Sequence, residues 1–115
     1  MVGVMGTATA ADKLVVGTNA EFAPFEYIGD DGKIAGFDIE LIDAIMKLVG
    51  VEYEVISIEF DALLPALASG QINLSISGMT INEERAQNVL FSEPYFNASQ
   101  KLMVVEGSAI TSLPI

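Results

Sequence analysis

The sequence contains no cysteine and no histidine. It therefore cannot form a disulfide, a thiol nucleophile, an imidazole base or an ordinary zinc site. A large part of enzyme chemistry is excluded, and no cofactor or metal is predicted. Although 51% of the residues are hydrophobic, no uninterrupted apolar run approaches the roughly 18 residues needed to span a bilayer. We therefore expect a buried core, with apolar surface left over for a partner.

Basic residues are also scarce, with five Lys and Arg against sixteen Asp and Glu, which gives a net charge of −11. A chain of this charge repels phosphate backbones and anionic lipid surfaces, so nucleic acid is not an expected partner. The simplest interpretation of the charge is a solvated acidic exterior. The length of 115 residues suits one small domain and leaves no room for a second full domain.

Strand and helix patterns alternate along the first half of the chain. The apolar run 13–18 predicts a buried strand, and a glycine-rich turn at 29–32 predicts a small hairpin. Residues 38–49 predict an amphipathic helix that Asp38 caps at its start and Gly50 at its end. Its apolar residues recur at spacings of three and four, at Ile39, Ile42, Ile45, Met46 and Val49.

The second half continues the alternation. Residues 51–58 predict a half-exposed edge strand, 61–69 a short helix and 72–77 a third strand. Thr80 and Glu83 have the spacing of a capping box, which predicts the start of a further helix. Two more strands are predicted, at 89–91 and 99–105. This order indicates an α/β fold with an open, mostly parallel sheet flanked by helices.

The predicted site lies where the strands end. In open α/β sheets, ligands bind beyond the carboxyl ends of the strands, because helix N-termini present unpaired amides there. Three segments occupy such positions, at residues 18–22, 59–61 and 77–80. In the last of them, Gly78 lets the backbone come close to a ligand, and Thr80 offers a hydroxyl and an amide.

Arg85 follows this segment and supplies a planar fork suited to a carboxylate. With Gly78 and Thr80 it predicts a carboxylate pocket, in which the arginine–carboxylate bond contributes about 1.5 to 3 kcal/mol. The alternative is that Arg85 pairs with a surface acid such as Glu84 or Glu93, as many exposed arginines do.

Two phenylalanines and an asparagine complete the candidate site. Phe22 and Phe60 have the chemistry to enclose an aliphatic stem or a flat cation. Each is alternatively a core residue. Asn19 directly follows the first predicted strand, where it either recognises a polar group or caps a turn.

The motif GFDIEL at residues 36–41 resembles the signature of the family 3 bacterial extracellular solute-binding proteins. Four other motifs are similar to family segments in order and spacing: GTNAEFAPFEY (17–27), EFDALLPALASGQIN (59–73), SISGMTINEER (75–85) and FSEPYF (91–96). Several motifs in register are more specific than a lone pattern. The resemblance covers residues 13–106 and implies a type II periplasmic-binding-protein lobe that binds the main chain of a polar L-amino acid and delivers it to an ABC permease.

The resemblance also implies roles for individual residues toward the ligand main chain. Arg85 would bind the α-carboxylate, aided by the amide and hydroxyl of Thr80. Ser77 and Gly78 would contact the α-ammonium through backbone oxygen.

The remaining implied contacts concern the ligand side chain. Phe22 and Phe60 would enclose it, and Asn19 would touch its polar end. Many polar-amino-acid binders of this family have an acidic residue at the position of Asn19. The neutral Asn19 therefore argues against a preference for lysine or arginine. Glutamine or a broad polar specificity is at least as consistent with the resemblance, and arginine stays open.

Family members continue through a hinge into a second lobe, whose closure buries the ligand. Because this chain ends at Ile115, the resemblance implies an incomplete lobe at 12–106, followed by a truncated tail at 107–115. We expect such a half-receptor to bind ligand weakly or not at all, since losing about 4 kcal/mol weakens binding about a thousandfold. The uncovered sheet edge and helix faces are expected to promote a homodimer.

Residues 1–11 resemble the end of an export signal, with Ala8-Thr9-Ala10 similar to a cleavage site. The positive n-region and most of the apolar h-region are missing, so an expression leader or a disordered start is the alternative. The export interpretation predicts a periplasmic or extracellular protein, with a membrane tether as an option in Gram-positive bacteria.

Two other functions remain open. One is a dehydratase-like enzyme on the same scaffold, in which Glu21, Glu26 or Glu59 would act as general acid, although nothing in the sequence shows a raised pKa. The other is a self-associating interaction module. The receptor lobe is the preferred interpretation, and no enzymatic activity is predicted.

Overall fold

The computed structural model describes residues 13–112. The predicted leader at 1–11 and the last residues of the predicted tail lie outside the described residues. In chain order the elements are β1 (Leu14–Thr18), β2 (Glu21–Phe22), β3 (Glu26–Ile28), β4 (Ile34–Ala35), α1 (Phe37–Val49), β5 (Tyr53–Ser57), a 3₁₀ turn (Phe60–Ala62), α2 (Leu63–Ser69), β6 (Leu74–Ser75) and α3 (Glu83–Ala86).

The central sheet has three strands in the order β5-β1-β6. Both neighbours run parallel to β1, with Val16 opposite Val55 on one side and Leu74 on the other. This arrangement confirms the prediction of an α/β lobe with a parallel, open sheet, and it confirms β5 as an edge strand. Parallel strands place their carboxyl ends at one edge of the sheet, so Thr18, Ser57 and Ser75 lie on the same side.

The predicted hairpin is part of a second, antiparallel sheet. Strands β2, β3 and β4 pair in order, with Tyr27 opposite both Glu21 and Ala35. This sheet follows β1 directly in the chain, after a short loop. It therefore places β2 and β3 next to the carboxyl edge of the central sheet.

Helix α1 begins differently from the prediction. Its N-cap residue is Gly36, with φ +126°. No side chain fits at this position, since a Cβ on Gly36 would lie 2.4 Å from the Phe25 carbonyl oxygen. Asp38 makes no capping hydrogen bond; it lies within the first turn and is fully buried. The helix end agrees with the prediction, because Gly50 adopts the left-handed conformation and donates to the Met46 carbonyl.

Fewer apolar residues of α1 are buried than its sequence pattern suggests. Ile42 and Met46 pack with Val16 and other residues of the central sheet. Ile45 and Val49, which belong to the predicted apolar face, are 42% and 60% exposed. A helix that crosses one face of a three-stranded sheet contacts it along a single ridge, and residues four apart form that ridge.

Helix α2 covers the opposite face of the sheet. Leu63, Ala66 and Ile72 form a buried cluster against Val15 and Ile56, whose neighbours along β1 and β5 point toward α1. The sheet is therefore covered on both faces, as the apolar sequence of β1 predicts.

The region after β6 departs most from the prediction. Helix α3 spans four residues, and its N-cap is Asn82 rather than Thr80. The strands predicted at 89–91 and 99–105 are absent from the described residues, where residues 90–105 contain no strand. An apolar run becomes a strand only when another backbone edge pairs with it, and within residues 13–112 no segment pairs with these runs. None of the helices in the described part of the chain has the length and apolar character required to cross a bilayer.

Candidate functional site

Hydrogen bonds join the loops at the carboxyl edge of the central sheet. The Asn19 amide donates to Ser77 Oγ at 2.9 Å, which links the loop after β1 to the loop after β6. The Ala20 amide donates to Ser57 Oγ at 3.0 Å, which links the same loop to the end of β5. Two of the predicted site residues, Asn19 and Ser77, are therefore in direct contact, and all three strand ends form one surface.

The Asn19 side chain is held by two acceptors. Its Nδ2 donates to the Ile58 carbonyl at 2.9 Å and to Glu21 Oε2 at 3.3 Å. Its amide group thus ties β1 to β5 and also keeps the exposed Glu21 carboxylate beside it. Asn19 therefore stabilises its loop, as the alternative prediction for this residue states. It also holds the Glu21 carboxylate at the site, although Asn19 itself is neutral.

Gly78 and Phe22 lie against each other. Gly78 has φ +58°, and a Cβ at this position would approach Phe22 Cε2 to 2.9 Å. A glycine is therefore required both by the backbone conformation and by the ring. Phe22 is half exposed, and it stacks on Phe25 with ring centroids 5.3 Å apart. One face of the site is thus aromatic and open to solvent.

Arg85 is held by three contacts. Its Nη1 donates to the Thr80 carbonyl at 2.8 Å, and its guanidinium lies 5.6 Å from the centre of the Phe60 ring. Its backbone amide donates to the Asn82 side chain at 2.8 Å. Thr80 accepts the Arg85 side chain through its backbone carbonyl. The N-cap of α3, predicted at Thr80, is instead Asn82.

The described residues contain one ion pair, between Lys47 and Asp43, and it does not involve Arg85. Among the described residues, Arg85 therefore forms no ion pair with Glu84 or Glu93, in contrast to the alternative prediction. Arg85 is partly buried, its guanidinium is fixed at one end, and no carboxylate among residues 13–112 forms an ion pair with it.

Beneath this surface lies a buried polar network that the sequence did not predict. Ser77 Oγ donates to Glu26 Oε1 at 3.2 Å, and the Tyr95 hydroxyl donates to Asp38 Oδ1 at 2.8 Å. Glu26 and Asp38 are both 0% exposed, and their side chains lie close enough together for Asp38 to raise the pKa of Glu26. The network therefore connects β3, α1, the loop after β6 and the segment that follows α3.

The pKa of Glu26 is raised from its ordinary value of 4.5 to about 8, and burial of the carboxyl group is the largest cause of this total shift. The hydrogen bond and the charge of Asp38 raise this pKa further, whereas the Ser77 hydroxyl lowers it. Two carboxyl groups in contact without water cannot both ionise at moderate cost. Glu26 is therefore protonated at neutral pH and serves as a hydrogen-bond donor.

Tyr95 connects the network to a cluster of aromatic rings. Burial is the largest cause that raises the pKa of its hydroxyl, followed by the hydrogen bond to Asp38, while a backbone hydrogen bond from Gly78 lowers it. Its ring stacks on Phe37, and Phe25 and Phe96 complete the cluster. Tyr95 lies within the motif FSEPYF, but only the fold shows that it reaches the buried face of the site.

The seven predicted site residues thus fall into two adjoining groups. Direct contacts join Asn19 to Ser77 and Phe22 to Gly78 on one side. On the other side, Arg85 contacts both Thr80 and Phe60. The roles assigned to these residues toward a ligand stay predictions. Two grooves, of about 410 and 340 Å³, lie elsewhere and contain none of the seven residues. The larger one adjoins Lys13 and Glu52, at the amino ends of the strands.

Known proteins with similar sequence and structure are amino-acid-binding proteins. The arginine-binding extracellular protein ArtP of Bacillus subtilis is 42% identical over 108 residues, which cover 94% of this chain and 42% of that protein. The arginine-, lysine-, histidine-binding protein ArtJ of Geobacillus stearothermophilus is 52% identical with a TM-score of 0.71, over 74% of this chain and 36% of that chain. The chain spans about two fifths of the length of the curated relatives it matches.

A third neighbour consists of one domain only. The arginine-bound form of domain 1 of the T. maritima protein ArgBP is 46% identical with a TM-score of 0.71, over 73% of this chain and 67% of that chain. A sequence profile of the bacterial extracellular solute-binding proteins, family 3, matches residues 14–111. This match covers most of the chain. The sequence motifs of the chain and its fold agree with the same family. The chain therefore belongs to the family 3 bacterial extracellular solute-binding proteins.

Proposed function

We propose that this chain forms the ligand-capturing lobe of an exported receptor that binds a basic L-amino acid, in the first place arginine, for an ABC uptake permease. The observation that carries the proposal is the Arg85 guanidinium. It is held by the Thr80 carbonyl and the Phe60 ring, and no carboxylate in the described residues neutralises it. A fixed, half-buried cation of this kind suits the α-carboxylate of a small molecule.

The hydrogen bonds of Ser77 support the proposed main-chain contacts. Its hydroxyl already accepts from Asn19 and donates to Glu26. The backbone oxygens of Ser77 and Gly78 are then the groups left to contact an α-ammonium. With the α-carboxylate on Arg85, the ligand main chain would lie across the loop between β6 and α3.

The electrostatics of the site favour a basic ligand side chain. Asn19 holds Glu21 beside the site, so a carboxylate is present although Asn19 itself is neutral. Phe22 is half exposed and offers a ring face to a flat guanidinium, whereas the Phe60 ring already contacts the Arg85 guanidinium. The net charge of −11 also attracts cations over longer distances. Relatives named as arginine-binding or arginine-, lysine-, histidine-binding proteins support the same class of ligand.

The test is isothermal titration of the 115-residue chain with L-arginine, L-histidine, L-lysine and L-glutamine. We expect arginine to bind, with a dissociation constant weaker than about 1 µM, because a single lobe covers one side of the ligand. The arginine-bound domain 1 of the T. maritima protein supports binding by one lobe.

Two analogues separate the proposed contacts. Agmatine lacks the α-carboxylate and should bind much more weakly, whereas N-acetyl-arginine tests the ammonium contact. Tighter binding of glutamine than of arginine would contradict the basic specificity. A flat titration with every amino acid would contradict ligand capture by this lobe alone.

A dehydratase function receives no support from the site. Glu26 has the raised pKa typical of a general acid. However, its side chain is fully buried and accepts a hydrogen bond from Ser77, so it does not face a substrate. Glu21 and Glu59 are exposed on the surface.

We also propose that the chain self-associates. Strands β5 and β6 form the two edges of the central sheet, and α1 exposes Ile45, Leu48 and Val49. Unpaired edges and exposed apolar side chains both favour pairing with a second copy. Light scattering over a range of concentrations should show a dimer, and Leu48→Lys should shift the population toward monomer. A strict monomer at high concentration would contradict this expectation.

A further inference from the structure

The Glu26–Asp38 pair lies directly behind the loop that the proposed ligand would contact. Ser77 Oγ donates to Glu26 Oε1, and that oxygen lies 3.7 Å from where a Gly78 Cβ would be. The Tyr95 hydroxyl donates to Asp38 Oδ1, and the Gly78 backbone contacts the same hydroxyl. The pair therefore holds both residues of the Ser77–Gly78 turn.

Each carboxyl group keeps one buried oxygen, Glu26 Oε2 and Asp38 Oδ2, that no other donor among residues 13–112 satisfies. Buried oxygens of this kind are costly unless hydrogen bonded. A proton on Glu26 removes one of the two charges and supplies a donor for a buried carboxylate oxygen. The pair thus needs a single bound proton to keep its geometry.

We propose that Glu26 is a positioning residue for the ligand pocket, and that the proton it shares with Asp38 holds the Ser77–Gly78 turn in its binding conformation. This inference rests on the proposed function. In the described part of the chain, the titratable groups that face Glu26 are Asp38 from α1 and Tyr95 from the segment after α3. Loss of the proton would place two carboxylates in contact and release the turn.

The pKa of about 8 for Glu26 predicts the pH at which this happens. Arginine affinity should hold up to about pH 7.5 and then fall about tenfold or more by about pH 9.5, as the pair loses its proton. Arginine loses its own α-ammonium proton at alkaline pH, so a variant with the same ligand is the necessary comparison.

Glu26→Ala and Glu26→Gln form the test pair, with L-arginine as the probe. Alanine removes the bonds to Ser77 and Asp38, and we expect affinity at neutral pH to fall about tenfold. Glutamine can accept from Ser77 and donate to Asp38 without a titrating proton, so it should restore the affinity. It should also keep only the pH dependence that comes from the ligand. Glu54→Gln, at an exposed position on β5, is the matched control and should behave as the wild type.

Amide NMR shifts of Ser77 and Gly78 in the ligand-free chain provide a second readout. In the wild type they should titrate with a midpoint near pH 8, and in Glu26→Gln they should not. If Glu26→Gln fails to fold, Asp38→Asn serves instead; it removes the neighbouring charge and should lower the midpoint.

The outcomes separate this inference from the proposed function. Arginine binding without any alkaline shift of the Ser77 and Gly78 amides would overturn the inference and leave the receptor function standing. Amide shifts without a difference in the affinity profiles of wild type and Glu26→Gln would overturn the positioning role. Absence of arginine binding at every pH would overturn the function and, with it, the inference.

Discussion

Replacing Arg85 by alanine is expected to lower the affinity for L-arginine by about 10- to 100-fold, because it removes the proposed charge-assisted hydrogen bond to the ligand carboxylate. The same change deletes the contact with the Phe60 ring and the bond to the Thr80 carbonyl. Isothermal titration at neutral pH measures the loss. Circular dichroism should show an unchanged fold, since Arg85 lies on a short surface helix outside both buried clusters.

Two controls make the Arg85 result specific. Lys101→Ala removes one positive charge at an exposed position and should leave arginine affinity within about twofold of wild type, because exposed charges contribute little. Arg85→Lys keeps the charge but loses the planar fork, so it should restore only part of the affinity. Equal affinity in Arg85→Ala and wild type would show that the carboxylate binds elsewhere.

Glu26→Gln is expected to make the protein more stable than the wild type at alkaline pH. The pKa of Glu26 is about 8 in the folded protein, against 4.5 as its ordinary value. Its stabilising contribution is therefore complete below about pH 4.5 and is lost progressively as the pH rises to about 8. The separation of the two pKa values corresponds to about 5 kcal/mol in the free energy of unfolding.

Urea unfolding followed by circular dichroism at about pH 5, 7 and 9 measures this difference. The wild type should lose stability relative to Glu26→Gln as the pH rises, and the gap should stop widening above about pH 8. Glu54→Gln should keep the wild-type profile. Parallel profiles for Glu26→Gln and the wild type would show that Glu26 is not held in its protonated form.

Local patterns predicted the elements of the lobe well wherever one short segment was sufficient. The apolar run of β1, the glycine-rich turn before β4 and the three-to-four spacing of α1 each depend on residues within about 13 positions. The end of α1 was also predictable, because Gly50 adopts a backbone conformation that other residues rarely adopt. The same information placed the candidate site at the carboxyl ends of the strands, since parallel strands bring these ends together.

The departures from the sequence predictions each have a physical cause in the surrounding structure. Ile45 and Val49 continue the apolar pattern of α1, but the width of the buried stripe depends on the sheet that the helix covers. The apolar runs at 89–91 and 99–105 have strand composition, but a strand also needs a pairing edge. Thr80 has capping-box spacing, yet Asn82 lies closer to the first turn and accepts the Arg85 amide.

The strand ends, the glycine turn and the chemistry of Arg85 were thus available from the order of the residues alone. The buried acid pair was not. Glu26 is bonded to a serine 51 residues away, and Asp38 to a tyrosine 57 residues away. In the sequence both acids look like ordinary members of a strand and a helix start. Folding removes water from both at once, and desolvation together with their mutual contact raises the pKa of Glu26, which is a property of the packed structure and not of any segment.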